Sequence, residues 1–303
     1  MSDAPPIEAR GLVKRYGELT AVDRVELTVE RGDVFGYLGP NGAGKTTSLR
    51  MMLGLIAPTE GRVRLFGLDP HEVGARALDG VAGFVEGPRF YPYLSGRKNL
   101  RLLADLDGGV AASRIEEVLD VVELRDRGKD RVGGYSHGMR QRLGIAASLL
   151  REPRLLLLDE PTTGLDPAGM RDMRELVKRL SADGITILLS SHILAEVEEL
   201  CNRVAIIRRG SIIYEGTLGE LLQSGGGDYR LRTTDQERAR AVLLAHGVQG
   251  ADLVDGELRF RADAAEVEAI SIALGRAGVG ISALVPHTAT LEELFLGMTE
   301  QAA

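Results

Sequence analysis

Apolar residues recur in short runs bounded by turn residues over the first part of the chain, and this pattern predicts β-strands. Such runs occupy residues 7–13, 22–29, 34–38 and 62–66. Residues 46–55 instead have the spacing of apolar positions that is typical of a helix. The chain is therefore expected to open with strands and to form its first helix after the third of them.

A long helical pattern follows and then gives way to alternating strands and helices. The helical pattern covers residues 95–124, with an interruption near Gly108 and Gly109, and a loop rich in glycine and charge covers residues 127–138. The alternating elements are helices at residues 139–150, 168–181 and 195–201 and strands at residues 155–158, 186–190 and 204–208. Alternation of this kind indicates crossover connections, so the sequence predicts an α/β fold with a mainly parallel sheet.

Three consecutive glycines, residues 225–227, separate this part from the C-terminal part. Because such a run is flexible and 303 residues exceed the usual size of a single core, we predict two domains, residues 1–224 and 225–303. The second has strand patterns at residues 229–233, 258–261 and 281–285 and helix patterns at residues 235–246, 265–277 and from Leu291. It is expected to be a small α+β module, for which a ferredoxin-like topology would fit. A binding or dimerisation role is expected for it, since its sequence offers no catalytic constellation.

Composition and charge narrow the class of protein. Hydrophobic residues make up 44% and charged residues 27%, close to globular averages, and no stretch approaches the roughly 18 apolar residues of a membrane span. Met1–Pro6 lacks the pattern of a signal peptide, so a cytosolic protein is expected. The net charge of −7 argues against a nucleic-acid-binding protein. The single cysteine, Cys201, lies in a helical pattern and is expected to pack in the core.

A phosphate-binding motif follows the third predicted strand. Residues 39–46 read Gly-Pro-Asn-Gly-Ala-Gly-Lys-Thr and match G-x-x-x-x-G-K-[ST] between a strand and a helix. In such a loop the backbone N–H groups enclose phosphate oxygens, Lys45 adds a positive charge, and the Thr46 hydroxyl is placed to hold Mg²⁺. The alternative is a glycine-rich turn with a solvated lysine. The predicted nucleotide-binding residues are Gly39, Pro40, Asn41, Gly42, Ala43, Gly44, Lys45, Thr46 and Thr47.

A second motif supports nucleotide hydrolysis. Four leucines, residues 155–158, predict a strand buried on both faces, and Asp159 and Glu160 follow it directly. Asp159 is predicted to bind Mg²⁺, and Glu160 is predicted to polarise the attacking water as general base. The alternative is a carboxylate pair that caps a buried strand without a catalytic role.

Further motifs in the same order resemble those of the ABC nucleotide-binding domains. Residues 135–142, Tyr-Ser-His-Gly-Met-Arg-Gln-Arg, resemble the ABC signature, residues 164–166 resemble the D-loop, and Ser190-Ser191-His192 resembles the segment of the switch histidine. The resemblance covers residues ~5–225. It implies a P-loop NTPase fold with a mostly parallel sheet, an antiparallel β part and a helical subdomain at about residues 87–150.

The resemblance also implies roles for single residues. Tyr16 would stack on adenine, with a half-buried surface tyrosine as the alternative. Ser136 and Gly138 would contact the γ-phosphate of an ATP held by a partner chain, and Asp166 would lie at that interface. His192 would sense the phosphate and orient the water, which makes Glu160, His192 and Lys45 the predicted catalytic residues. Because the family builds each site from two chains, a homodimer or a heterodimer of ATPases is implied.

Three positions depart from the family pattern. His137 stands where the usual signature has glycine, Met139 stands where it has glutamine, and Glu86 takes the place of the Q-loop glutamine. Glu86 is still predicted to bind metal, although it adds negative charge near the γ-phosphate. With Phe90-Tyr91-Pro92, these features resemble the bacitracin and lantibiotic-resistance branch of ABC exporters, which implies export of an antibiotic or antimicrobial peptide.

The position of the aromatic residues indicates where a partner binds. Four of the 13 Phe and Tyr residues lie between Phe84 and Tyr93 and predict an apolar groove, unless they pack inside the helical subdomain. In ABC exporters a coupling helix of the permease docks in this region. The C-terminal module, which ends with the segment of residues 290–296, resembles the accessory domain of antibiotic-exporter ATPases, and the resemblance implies that it stabilises the dimer.

These motifs together predict an ATP- and Mg²⁺-dependent motor subunit of an exporter. The permease would be a separate chain, and the motor would bind it at the cytoplasmic face of the membrane, without nucleic acid. An alternative is a soluble ABC-type ATPase that acts on nucleic acid or ribosomes, but the paired domains, coiled-coil insertions and zinc modules of that class are missing from the sequence. A small-molecule P-loop kinase is hard to reconcile with the signature and the switch histidine.

Overall fold

The structure is a computed structural model that describes residues 4–106, 108–224, 227–248, 250–254, 256–286 and 290–300. The chain divides into two units, residues 1–218 and 219–303. The predicted border after residue 224 lies beyond this division, at the end of a helix that spans Leu218–Ser224. Gly225 and Gly226 lie outside the described residues, and the predicted domain limits stay a prediction.

The described residues of the first unit form nine strands. They are β1 (Ile7–Tyr16), β2 (Leu19–Val29), β3 (Val34–Leu38), β4 (Glu60–Leu65), β5 (Val81–Phe84), β6 (Leu155–Asp159), β7 (Thr186–Ser191), β8 (Arg203–Arg208) and β9 (Ser211–Thr217). The main sheet has the order β5-β6-β7-β3-β8-β9, in which only the edge strand β9 is antiparallel. The smaller sheet, β2-β1-β4, is antiparallel. This mixed architecture confirms the predicted fold class.

Helices cover the sheets, and along the chain they alternate with strands of the main sheet. They are α1 (Lys45–Met52), α2 (Pro70–Val73), α3 (Gly96–Leu106), α4 (Ile115–Val121), α5 (His137–Leu149), α6 (Pro167–Ala182) and α7 (Leu194–Leu200), and the helix at the division, Leu218–Ser224, is α8. Short 3₁₀ turns lie at Gly74–Leu78, Val110–Arg114 and Val132–Gly134. The predicted helical subdomain at about residues 87–150 contains α3, α4 and α5.

The core of the first unit joins the two sheets around α1. Leu49 and Met52 of α1 are fully buried in one cluster with Phe35 of β3, Leu157 of β6 and Ile7 of β1. Every residue of β3, β6 and β7 is buried, as expected for parallel strands covered on both faces. Burial on both faces fixes the carboxyl ends of these strands, where the predicted site residues lie. Cys201 is also buried, in agreement with its predicted packing role.

Some elements differ from the predictions. The strands β5 and β9 and the short helix α2 had no clear signal, since β5 has only four residues and contains Gly83. Gly83 has φ +149°, and a Cβ there would overlap the carbonyl of Leu157 on the neighbouring strand β6, so the glycine allows close pairing rather than ending the strand. The predicted helix from residue 139 begins at His137 instead, because Ser136 caps it.

The second unit has its own sheet and core. Its strands are β10 (Asp228–Thr233), β11 (Asp252–Val254), β12 (Glu257–Arg261) and β13 (Ile281–Pro286), and its helices are α9 (Gln236–Ala245), α10 (Ala264–Arg276) and α11 (Leu291–Glu300). The antiparallel sheet has the order β11-β12-β10-β13, and Leu231, Leu243 and Phe260 are among the buried residues of its core. The βαββαβ succession matches the ferredoxin-like arrangement.

None of the helices in the described part of the chain combines the length and apolar character that a membrane span requires.

Candidate functional site

The phosphate-binding loop connects β3 to α1. Gly44 immediately precedes α1 with φ +106°, and a Cβ at this position would overlap the carbonyl of Ala21. Only glycine fits there without displacing β2. The loop therefore presents its N–H groups and the first turn of α1 at one end of the sheet.

Lys45 is held at this loop by oxygen atoms. Its side chain is only 5% exposed, and its Nζ atom lies 2.6 Å from the carbonyl oxygen of Gly39, 3.2 Å from that of Pro40 and 3.3 Å from Oε1 of Glu160. A buried ammonium group is stable only with such partners. The predicted phosphate-binding lysine and the predicted general base are thus direct neighbours.

Asp159 is the centre of a hydrogen-bond network at the end of β6. The hydroxyl of Thr46 donates to its Oδ2 atom at 3.0 Å, the hydroxyl of Ser190 donates to Oδ1 at 2.5 Å, and the N–H of Glu86 donates to Oδ2 at 3.3 Å. The structure therefore brings together three residues predicted as metal ligands. Ser190 had no predicted role, although it lies in the motif that precedes His192.

The donor atoms near Asp159 suit Mg²⁺. A carboxylate and a hydroxyl oxygen are hard ligands, and proteins typically supply one or two of them while water and substrate phosphates complete the shell. In keeping with this, the described residues contain no group of three or more His, Cys, Asp or Glu side chains that could hold an ion by themselves. Thr46 and Asp159 fit the metal as a pair.

Glu160 begins the segment after β6 in a left-handed conformation, φ +48°. Its Oε2 atom accepts a hydrogen bond from the Thr163 hydroxyl at 2.9 Å and lies 3.3 Å from Nδ1 of His192, while its N–H donates to the Ser190 hydroxyl at 3.0 Å. These contacts fix the carboxylate between the switch histidine and the lysine of the loop. Thr163 had no predicted role, and no motif pointed to it.

Electrostatics keep Glu160 ionised. Burial raises the pKa of its carboxyl group, but the hydrogen bond from Thr163 and the charges of Lys45 and His192 lower it by more, so the pKa lies below its ordinary value. At neutral pH the side chain is therefore a carboxylate with an oxygen available to accept a proton.

A cavity of about 320 Å³ opens beside the loop. Tyr16, Leu19, Asn41, Thr47 and Glu160 are among the residues that line it. The Tyr16 ring is 47% exposed, and Nζ of Lys14 lies 5.2 Å from its centroid. The ring therefore lies at the rim of the phosphate loop, and its predicted stacking on adenine stays a prediction.

The signature residues line a different cavity, of about 380 Å³. Ser136, Gly138 and Asp166 border it, and its described lining shares no residue with the cavity beside the phosphate loop. Ser136 and Asp166 also cap helices: the Ser136 hydroxyl accepts from the N–H of Met139, and the Asp166 carboxylate accepts from the N–H of Gly169. Their predicted contacts with ATP and with a partner chain stay predictions.

His137 links the signature to the segment after Glu160. Its Nε2 atom lies 3.0 Å from the carbonyl oxygen of Thr163, and a Cβ at the next residue, Gly164, would lie 3.5 Å from the same atom. Since a carbonyl only accepts, Nε2 is the donor. A glycine at position 137, as in the usual signature, would lack this bond.

Glu86 contacts the site with its backbone and turns its side chain elsewhere. Its N–H reaches Asp159, but its Oε1 atom lies 2.5 Å from Nη2 of Arg50 at the end of α1. Arg50 was missed in the sequence because no motif includes it. The predicted metal role of Glu86 stays a prediction.

The aromatic cluster that follows Glu86 lies partly in a groove and partly on the surface. Phe84 and Phe90 line an open groove of about 400 Å³ together with Leu103 and Leu106, which are exposed. Tyr91 and Tyr93 are exposed, and their ring centroids are 5.8 Å apart. The groove carries apolar side chains at the surface in the region predicted to receive a partner helix.

Comparisons with known proteins identify the family of the chain. The ABC transporter family model matches residues 22–163. The chain is 38% identical over 291 residues to the bacitracin transport ATP-binding protein BcrA of Enterococcus faecalis, covering 95% of this chain and 94% of that protein. It is 38% identical over 304 residues to the daunorubicin resistance ATP-binding protein DrrA3 of Streptomyces coeruleorubidus, covering 97% and 95% of the two chains.

A solved structure of the ATP-binding subunit of an ABC transporter superposes with a TM-score of 0.64 at 30% identity and covers 72% of this chain and 92% of that chain. Fold, motifs and full-length similarity thus lead to one family. The chain belongs to the ABC transporter family as an ATP-binding subunit with ATP hydrolase activity.

Proposed function

We propose that this ATPase is the motor of an exporter whose membrane-spanning permease is a separate chain. The observation that carries the proposal is the arrangement around Glu160. Its carboxylate lies 3.3 Å from both Lys45 and His192, and the adjacent Asp159 accepts the hydroxyl of Thr46. A base, a phosphate-binding cation and a metal-binding pair therefore lie in one site.

In the proposed mechanism, the loop N–H groups and Lys45 bind the phosphates of ATP. Thr46 and Asp159 hold Mg²⁺, which when bound neutralises part of the phosphate charge. Glu160 accepts a proton from a water molecule whose oxygen attacks the γ-phosphorus, and His192 orients that water. The bond between the γ-phosphorus and the bridging oxygen breaks, and ADP and phosphate leave.

Two chains are proposed to complete each site. Ser136, Gly138 and Asp166 border a cavity distinct from the one beside the phosphate loop. They are available to contact an ATP bound by another chain, with the N-terminus of α5 directed at the anion. The pair is either a homodimer or a heterodimer of ATPases.

The groove of Phe84, Phe90, Leu103 and Leu106 is the proposed docking site for a helix of the permease. Apolar side chains exposed along an open groove suit the apolar face of an amphipathic helix. This placement puts the motor at the cytoplasmic face of the membrane, bound through its partner. The loop of Glu86 connects the groove to Asp159, so motion at the metal pair reaches the docking site.

The proposed cargo is an antibiotic or an antimicrobial peptide. Two relatives that align with almost the whole chain are named for bacitracin transport and for daunorubicin resistance. Their shared length includes the second unit, so the likeness extends beyond the motifs of the ATPase itself.

The variant Glu160→Gln tests the proposed function. It keeps the size of the side chain but cannot accept the proton, so we expect hydrolysis to fall by a factor of about 10² to 10⁴ while ATP binding persists. Light scattering with and without ATP and Mg²⁺ should then detect a trapped dimer. Glu268→Gln, on the exposed surface of the second unit, is the matched control.

Normal hydrolysis in Glu160→Gln would remove Glu160 from the role of base. A variant that binds ATP without pairing would remove the two-chain mechanism for the isolated protein. Co-purification of the wild-type chain with its permease, lost when Leu103 and Leu106 are both replaced by Asp, tests the docking site separately.

A further inference from the structure

Glu86 is a third acidic residue in contact with a site that already contains two carboxylates. Asp159 and Glu160 end β6 and begin the next segment, and the N–H of Glu86 lies 3.3 Å from Oδ2 of Asp159. The triphosphate of ATP brings further negative charge to the same place. A carboxylate that turned toward the phosphates would oppose binding, because like charges repel one another at short range.

The carboxylate of Glu86 is not free. Its Oε1 atom lies 2.5 Å from Nη2 of Arg50, and the two side chains are 55% and 35% exposed. At this exposure an ion pair contributes little to folding stability. Its consequence is therefore local: it neutralises the charge of Glu86 and determines where the carboxylate lies.

The partner in this pair lies on the helix that binds phosphate. Arg50 is in the last turn of α1, whose first residue is Lys45, and its carbonyl oxygen accepts the N–H of Leu55 at 2.8 Å. Glu86 has φ +63°, a left-handed conformation that costs a non-glycine residue energy and therefore needs contacts that hold it. The N–H contact with Asp159 and the ion pair with Arg50 provide them.

We propose that Arg50 is a positioning residue for Glu86: it holds the carboxylate against α1, away from the phosphates, and ties the loop that leads to the aromatic groove to the phosphate-binding helix. The inference rests on the proposed function, since it assigns a regulation of that same site. A glutamine at position 86 could not form this ion pair, so the arginine matters only where the loop carries glutamate.

A double-mutant cycle on the full chain tests the inference. Arg50→Gln should release the carboxylate of Glu86 toward Asp159 and weaken the binding of ATP with Mg²⁺ about tenfold. In a Glu86→Gln background, the same change should weaken binding by a factor of less than about two, because no carboxylate remains to be released. Binding is measured by isothermal titration calorimetry, and hydrolysis is measured beside it.

Two further variants separate positioning from folding. Arg50→Lys keeps the charge and should bind ATP within about threefold of wild type, whereas a merely structural role of the guanidinium would not be rescued by lysine. The ion pair of Arg101 and Asp105 on α3, 2.9 Å long and also exposed, is the matched control. Its cycle, Arg101→Gln with Asp105→Asn, should leave ATP binding unchanged.

The outcomes are distinct. If Arg50→Gln weakens binding equally in both backgrounds, or in neither, Arg50 does not act through Glu86 and the inference is wrong while the proposed function stands. If Arg50→Gln does not fold, loss of binding in Arg50→Lys also overturns the inference. A folded wild-type chain that binds no ATP would overturn the proposed function as well.

Discussion

Two regions of the molecule differ in the partners of their side chains. The first region is the phosphate loop with the end of β6, and the second is the signature segment with the loop of Glu86. In the first region the central predicted residues contact one another: Thr46 contacts Asp159, and Lys45 and His192 contact Glu160. In the second region, Glu86 contacts Arg50 and His137 contacts Thr163, both without a predicted role. The residues of the first region thus come from motifs that contact one another, whereas those of the second are held by residues that no motif singles out.

The largest effect is expected from the first region. Replacing Lys45 by Ala removes the buried cation that lies 3.3 Å from Glu160 and 2.6 Å from the carbonyl oxygen of Gly39. Hydrolysis should fall by a factor of at least about 10³, and ATP binding should weaken with it, because the phosphates lose their positive partner. Steady-state hydrolysis and calorimetric binding measure the two losses.

Lys178→Ala is the control for this change. Lys178 is exposed on α6 and pairs with Glu175 and Glu199, so its loss should leave hydrolysis unaffected. If Lys45→Ala kept a near-normal rate, the two regions would not differ in the way described, because the central contacts of the first would be dispensable.

An intermediate effect is expected from Thr163, which belongs to both regions. Its hydroxyl donates to Glu160, and this bond is one of the contributions that lower the pKa of that carboxyl group. Thr163→Val removes the donor, so the pKa of Glu160 should rise and the acidic limb of the pH–rate profile should move to higher pH. At low pH more of the base is then protonated, so hydrolysis should fall on the acidic side of the profile and stay near the wild-type rate at neutral pH.

The pH profile of Thr163→Ser supplies the control, since serine keeps the hydroxyl and should restore the wild-type limb. A limb that stays in place in Thr163→Val, with only the plateau lowered, would show that the hydroxyl does not set the pKa of Glu160. The contact at 2.9 Å would then be structural alone.

Most of the residues that the structure brings together in the first region could be found in the sequence, because phosphate chemistry requires fixed residue types at fixed spacing. Gly39 to Thr46 and Asp159-Glu160 are contiguous motifs, and buried parallel strands place both at the same edge of the sheet. Ser190 and Thr163 escaped prediction because a hydroxyl near a carboxylate leaves no pattern in sequence. Arg50 and Glu86 are 36 residues apart, so only the fold brings their charges together.

The strands differ in the same way, since some could be predicted from local sequence and others could not. The run of leucines in β6 reads as a buried strand from its composition alone, whereas Val81–Phe84 is too short and contains a glycine. What makes it a strand is pairing with β6 along Val81 to Phe84, a long-range interaction that local propensity does not encode. Prediction fails where the determining contact is distant in sequence.

The smallest effect is expected from a change of His137, whose hydrogen bond links the second region to the first. His137→Gly restores the usual residue of the signature but removes the hydrogen bond to the Thr163 carbonyl, so the segment that positions Glu160 loses one anchor. Hydrolysis should fall about two- to fivefold with unchanged ATP affinity, in line with the loss of one exposed hydrogen bond that contributes about 0.5–1 kcal/mol. His246→Gly, in the second unit, is the control. A faster His137→Gly enzyme would mean that the departure from the family signature restrains turnover, and that the contact of His137 with Thr163 holds Glu160 back rather than in place.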